Sequence, residues 1–219
     1  MRIKLIRHAQ SLANADGKWQ GQLDYDLSSL GEKQSVLLSK RFKTEKFKPT
    51  HIYSSPLKRA LKTAEITFSK QKIVQMDDLK ENGIGVFEGK NLTDIKKLYP
   101  RAAKEFEINQ NFSSAPNAES RSNIRKRAER VVDFLIKKHH QEDQVAVFTH
   151  SGFLVFLVNV FLKSEQIWRL NIPNTGIFDF QIDQETWDIE RSKGIKKEGP
   201  TRCRVVNFAN ASHLGEEYH

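Results

Sequence analysis

Two arginines and two histidines in this chain stand where strands end. Arg7 and His8 close the first apolar run, within Leu5-Ile6-Arg7-His8-Ala9-Gln10-Ser11. Arg59 follows the short run His51–Ser54, and His150 follows Gln144-Val145-Ala146-Val147-Phe148-Thr149. A guanidinium presents a planar fork of donors that matches two oxygens of a phosphate at once. An imidazole has an ordinary pKa of about 6.5, so at neutral pH it is substantially unprotonated and can attack phosphorus. Such an attack splits one difficult displacement into two easier ones through a covalent intermediate. In an open α/β sheet, ligands bind outside the carboxyl ends of the strands, which is where these four residues fall.

The elements that must position them are legible from hydrophobic period. Residues 2–6 form a β-rich run, 144–149 reads as a fully buried strand, and 51–54 is a short strand. Ser54 or Ser55 caps the helix expected over 56–69, with Pro56 in its first turn and Arg59 close to that anion-favouring end. A helix over 32–46 turns Val36, Leu37, Leu38 and Phe42 inward. A short β run covers 72–76, and 79–89 is a glycine-punctuated loop. The clearest helix runs from about Ser120 to His140, with Ile124, Ala128, Val131, Val132, Leu135 and Ile136 on one stripe. A further helix follows His150, and Ile177–Ile182, Thr186–Glu190 and Arg202–Phe208 are late strand candidates. The alternation predicts a three-layer α/β/α sandwich with a mostly parallel central sheet, made mixed by a carboxyl-terminal hairpin.

Residues 82–118 interrupt this regularity as a cap-like insertion in what reads as one domain spanning 1–219. Two short helices, 91–99 and 101–108, precede a polar loop at 109–117. Phe87, Tyr99, Phe106 and Phe112 are candidates for an apolar wall over the strand ends.

Composition bounds the rest. At 219 residues and 38% hydrophobic content the chain can bury a sizeable core. It has no apolar run near the ~20 residues of a membrane span. No signal peptide is visible after Met1-Arg2, and the single cysteine, Cys203, fits a reducing compartment. These features predict a cytoplasmic protein. The net charge of +9 favours anionic partners. Its local concentrations, 121–130 and 191–204, lack interleaved aromatics and read as solvated surface, so no nucleic-acid partner is expected. No His/Cys cluster has the sequence spacing of metal ligands, so no metal and no other cofactor is expected. His51, His139, His140, His213 and His219 read as surface or terminal residues.

Arg7, His8, Arg59 and His150, in this order, resemble the histidine phosphatase superfamily, which includes cofactor-dependent phosphoglycerate mutase. The resemblance spans nearly the whole chain. It implies that His8 is the nucleophile and that Arg7, Arg59 and His150 hold the equatorial phosphate oxygens. Asn14 matches the family's phosphate-contacting asparagine, while Gln20-Gly21 and Ser151-Gly152 match further contacts. Leu79-Lys80-Glu81, followed by Phe87-Glu88-Gly89, resembles the segment carrying the catalytic acid, which points to Glu81. Asp77, Asp78 and Glu88 are its rivals. The entry to the 120–140 helix, with Arg127 beyond it, also resembles the family pattern.

Two departures bear on activity. Ala9 stands where glycine is commoner, and Glu81-Asn82-Gly83-Ile84 lacks the Arg-His-Tyr that follows the acid in the mutases. The 90–118 segment also lacks an adjacent arginine pair to grip a substrate carboxylate. The resemblance therefore implies a metal-independent phosphatase acting on small phosphorylated metabolites through phosphohistidine. A 2,3-bisphosphoglycerate-dependent phosphoglycerate mutase is the alternative, and a non-catalytic phosphate-binding module the third reading. Oligomeric state is left open.

Overall fold

The computed structural model describes residues 1–168, 170–185, 187 and 203–215. A six-stranded sheet has the order β3-β2-β4-β1-β5-β6. Its strands are β1 (Arg2–Arg7), β2 (His51–Ser54), β3 (Ile73–Gln75), β4 (Gln144–Thr149), β5 (Ile177–Ile182) and β6 (Cys203–Asn210). Strands β1 to β4 are mutually parallel, and β5 pairs antiparallel with both β1 and β6. The sheet is mixed as expected. The candidate strand Thr186–Glu190 lies outside the described residues except for Trp187, which is buried.

Helices cover both faces because β residues alternate between them. Ile3 and Leu5 of β1, with Val145 and Val147 of β4, pack against α6 (Arg121–Lys138) and α7 (Ser151–Phe161). Ile6, Ala146 and Phe148 point the other way, to Leu38 and Phe42 of α2 (Ser29–Thr44) and Ala64 of α3 (Lys58–Thr67). The six apolar positions read as the stripe of α6 are all buried. On α2 the expectation fails in part: Leu38 and Phe42 are buried, but Val36 is exposed. The inward face there runs through Gly31, Gln34 and Ser35, small or polar groups that hydropathy alone reads as outward.

Register in β1 places its carboxyl end beside that of β4, with Arg7 opposite Thr149. Ser54 of β2 lies opposite Phe148. Three strand ends thus converge on one edge of the sheet. A four-residue helix, α1 (Leu12–Ala15), follows β1 and is closed by a capping box between Ser11 and Asn14.

Residues 82–118 include α4 (Leu92–Leu98) and α5 (Pro100–Asn109). They enclose a separate apolar cluster of Ile84, Phe87, Ile95, Ala103, Phe106 and Ala115. Trp19, from the loop after α1, inserts among them, with ring centroids 4.8 Å from Phe106 and 4.9 Å from Phe112. The segment is therefore tied to the loop that leaves the first strand end.

Candidate active site

Each side chain at the strand ends is held by a nameable constraint. The His8 ring lies buried, with Nδ1 2.6 Å from the Ala9 carbonyl oxygen. A carbonyl only accepts, so Nδ1 carries the proton and the Nε2 lone pair is left outward. Burial first, then Arg59 and Arg7, hold the His8 pKa well below its ordinary value, so the ring is neutral. Asn174 Nδ2 donates to the His8 carbonyl at 3.0 Å, and the Ala9 N–H donates to Thr63 Oγ1 at 3.0 Å, pinning the backbone on both sides.

His150 packs against His8, with ring centroids 5.1 Å apart and planes at 57°. Arg59 Nε donates to His150 Nδ1 at 3.1 Å, which puts the proton of the neutral ring on Nε2, 2.8 Å from Ser55 Oγ. Burial, reinforced by Arg59, His8 and Arg7, lowers its pKa well below the ordinary value as well. Ser55 is thus a site residue as well as a support of the helix start, its Oγ accepting from the Leu57 N–H at 3.3 Å, although α3 itself starts at Lys58 behind Leu57, which has no side-chain cap.

Arg59 is fully buried, its Nη1 and Nη2 bonded to the carbonyls of Leu23 and Gly21 at 2.7 and 2.8 Å. Arg7 is partly exposed; it donates to the Ile172 carbonyl, and its buried Nε has no partner among the described residues. Burial brings each guanidinium below its ordinary value to about 10, against the opposing charge of Glu81. Neither arginine has a salt bridge among the described residues. Two such cations beside two neutral imidazoles, opposed by the single carboxylate of Glu81, leave net positive charge, an arrangement that suits a doubly charged oxyanion.

Glu81 sits where the 77–81 segment crosses the start of α7. Its Oε1 accepts from the N–H groups of Asn82 and Phe153, both at 2.9 Å, and its Oε2 from that of Gly152 at 3.1 Å. A Cβ at Gly152 would lie 2.7 Å from Glu81 Oε1 and would displace that carboxylate. Thr149 Oγ1 donates to the Leu79 carbonyl at 2.6 Å, and Arg127 Nη1 donates to those of Asp78 and Lys80. Arg127 is itself clamped by Glu119, at 2.8 Å from its Nη2. Arg127 and Glu119 thus act as positioning residues for Glu81.

The remaining expected residues play other parts. Asn14 Oδ1 accepts from the Ser11 N–H at 3.2 Å, and Gln20 Oε1 from Ser11 Oγ at 2.8 Å. Gly21 holds Arg59 through its carbonyl, and the Gly152 N–H is engaged by Glu81. Ser151 opens α7 directly after His150. Of the rivals to Glu81, Asp78 pairs with Arg130 on the surface and Glu88 accepts from the Gln22 N–H. Ser55, Thr63 and Asn174 were not foreseen as site residues. Their signal is weak because each acts on a neighbour distant in sequence.

The buried neutral histidines carry a stability consequence. His8, His150 and His139 all have folded pKa values below 6.5, so the folded state takes up protons less readily than the unfolded chain. Stability is therefore full above pH 6.5 and falls as pH drops below it, by up to about 1.4 kcal/mol per pH unit for each ring. Denaturant midpoints should fall between pH 6.5 and 5. A level midpoint down to pH 5 would contradict the neutral, buried rings.

A six-stranded mixed sheet between helical layers, with paired arginines and histidines at its strand ends, defines the fold and site of a histidine phosphatase. The family description "Histidine phosphatase superfamily (branch 1)" matches residues 3–193, and the chain belongs to that superfamily. It is 31% identical to phosphoserine phosphatase 1 of Hydrogenobacter thermophilus, over 100% of this chain and 96% of that protein. It is 35% identical to a metal-independent phosphoserine phosphatase of Arabidopsis thaliana, over 69% of this chain and 65% of that one. Among solved structures, Bacillus stearothermophilus YhfR superposes with a TM-score of 0.79 at 25% identity, covering 97% of this chain and 98% of that one.

Proposed function

We propose that the chain is a metal-independent phosphomonoesterase that turns over through phosphohistidine at His8, with a small phosphorylated metabolite of the phosphoserine class as substrate. One observation carries the reading. A neutral imidazole with its Nε2 lone pair free is set among two arginines that lack carboxylate partners among the described residues. In the first step His8 Nε2 attacks phosphorus, a P–N bond forms, and the ester P–O bond breaks as Glu81 protonates the leaving oxygen. In the second, Glu81 takes a proton from water, whose oxygen attacks phosphorus and releases phosphate and free His8. Arg7, Arg59 and His150, whose Nε2–H exchanges Ser55 Oγ for a phosphate oxygen, balance charge on the equatorial oxygens, with Asn14 as a further donor. Gln20 and Gly21 support this set through Ser11 and Arg59, and Ser151 and Gly152 through the start of α7. A cytoplasmic setting suits such a substrate.

The mutase reading is weaker. Residues 82–84 are Asn-Gly-Ile rather than Arg-His-Tyr, leaving that wall without the cations a bisphosphorylated cofactor calls for.

We take residues 82–118 as a cap that sorts substrates, since the phosphate site meets only the group all esters share. A cavity of about 500 Å³ adjoins Gly152 and Asn82, walled by Phe106, Phe112, Ile167 and Trp168. Among the described residues, Arg121 is the only cation in that wall, and it suits a substrate carboxylate. Phe87, expected in the wall, is instead fully buried in the cap's own core. On a panel of phosphate esters containing phosphoserine and assayed with chelator present, Phe112→Ala should change relative kcat/KM by about 10-fold. Vanadate inhibition should be unchanged. A panel ranked as in the parent protein would remove the cap from substrate selection, and activity abolished by the chelator would overturn the metal-independent reading.

A further inference from the structure

At the amino-terminal edge of the parallel strands, opposite the phosphate site, three potential metal ligands meet. His51 is the first residue of β2, Asp143 immediately precedes β4, and His139 ends α6. Their donor atoms all lie within 4.8 Å of one another. The two oxygens of Asp143 divide between the rings: Oδ1 is 3.8 Å from His51 Nδ1 and Oδ2 is 3.7 Å from His139 Nδ1. The ring centroids are 4.3 Å apart.

His139 is the residue that ordinary packing does not explain. It is only 4% exposed, yet neither of its ring nitrogens has a hydrogen-bond partner among the described residues. Buried polar groups are nearly always satisfied, and an orphaned imidazole calls for a reason. Its ring is fixed edge-on between Tyr53 and Phe134, and Gln184 Nε2 donates to its backbone carbonyl at 2.6 Å. Asp143 is anchored too, accepting from Thr50 Oγ1 and from the His140 N–H, both at 2.8 Å. These outer contacts orient the donors as hydrogen bonds to metal-ligating groups do.

We propose that His51, His139 and Asp143 bind a divalent first-row transition cation, with zinc the best match. Two imidazole nitrogens and one carboxylate form a borderline-soft set that suits zinc and disfavours magnesium or calcium, which require more oxygen ligands. Zinc bonds of about 2.0–2.1 Å place tetrahedral donors about 3.3 Å apart, so the cluster must contract slightly. His51 supplies that motion, for its side chain is 46% exposed and its Nδ1 exchanges the 3.0 Å contact with Thr50 Oγ1 for the ion. The fourth position opens to solvent on the His51 side. A charged His51–Asp143–His139 network fits less well, because the separations of 3.7 and 3.8 Å exceed hydrogen-bond length. Sequence spacing hides the site, since His51 comes from a different element than the 139–143 pair. The expectation that His139 is a surface residue is corrected here.

The ion would tie the start of β2 to the end of α6 and the start of β4. Its effect falls on stability, and the site stands apart from the chemistry at His8. The test uses untagged full-length protein stripped with chelator and titrated with zinc chloride by calorimetry, with thermal melts and the visible spectrum of the cobalt form. The parent and His8→Ala should each bind one ion per chain, melt at higher temperature with zinc, and give the intense visible bands of tetrahedral cobalt. His51→Ala should weaken binding by about 100-fold or more and lose both the melting shift and the cobalt bands. Its metal-free melting temperature and its turnover should match the parent. Asp143→Asn should weaken binding likewise. Binding unchanged in His51→Ala, binding lost in His8→Ala, or no binding at micromolar zinc would each overturn the proposal.

Discussion

His8→Ala should lower kcat by about 10⁴-fold or more, as removal of a nucleophile does in enzymes whose catalytic groups act as a unit. The loss follows from geometry. Nδ1 of His8 is committed to the Ala9 carbonyl at 2.6 Å, so only Nε2 can reach phosphorus. His150 cannot take over, because its Nδ1 accepts from Arg59 and its Nε2 carries the proton facing Ser55. The fold should survive, since α1, β1 and the backbone contacts of Asn174 and Thr63 do not involve the imidazole. Circular dichroism and turnover on the same preparation separate loss of chemistry from loss of structure. A well-folded variant that keeps parental turnover would remove His8 from the mechanism.

Glu81→Gln should separate the two halves of the reaction. General acid–base assistance contributes about 10²–10⁴-fold, so phosphorylation of His8 by an alkyl ester should slow by that range. With p-nitrophenyl phosphate the leaving group needs little protonation, and this first step should be nearly spared. Hydrolysis of the phosphohistidine still needs a base, so p-nitrophenolate should appear in a burst followed by slow turnover. The substitution costs something locally, since an amide must meet three N–H donors that now see only carboxylate oxygens. Vanadate affinity serves as the control for intact phosphate binding. Equal slowing of the first step on both esters would move the acid elsewhere, with Glu88 next in line.

Much of this site is legible in the sequence. Arg7, His8 and His150 sit at the ends of apolar runs, and strand ends have a fixed relation to an α/β sheet, so their meeting follows from topology. The α6 stripe was equally plain because its buried residues recur at helical spacing. The misses share a cause. Val36 is exposed because small residues let α2 pack along Gly31 and Ser35, a shape effect that hydropathy does not carry. Phe87 fills the apolar centre of residues 82–118 itself, since a segment of two short helices needs its own core before it can present a wall. Ser55 and Asn174 matter through single hydrogen bonds to residues far off in the chain, and no local pattern marks such a partner. His139 went unread for the same reason, its neighbours arriving from β2 and from the turn before β4.

The central claim is that phosphate passes covalently through His8. The most direct measurement mixes Glu81→Gln with phosphorus-32-labelled p-nitrophenyl phosphate, quenches in alkali and maps the label. The account predicts an acid-labile, base-stable label in step with the p-nitrophenolate burst, on the peptide containing His8 and absent from the double variant with His8→Ala. Label on the peptide containing His150, or a burst with no protein-bound phosphate, would contradict it.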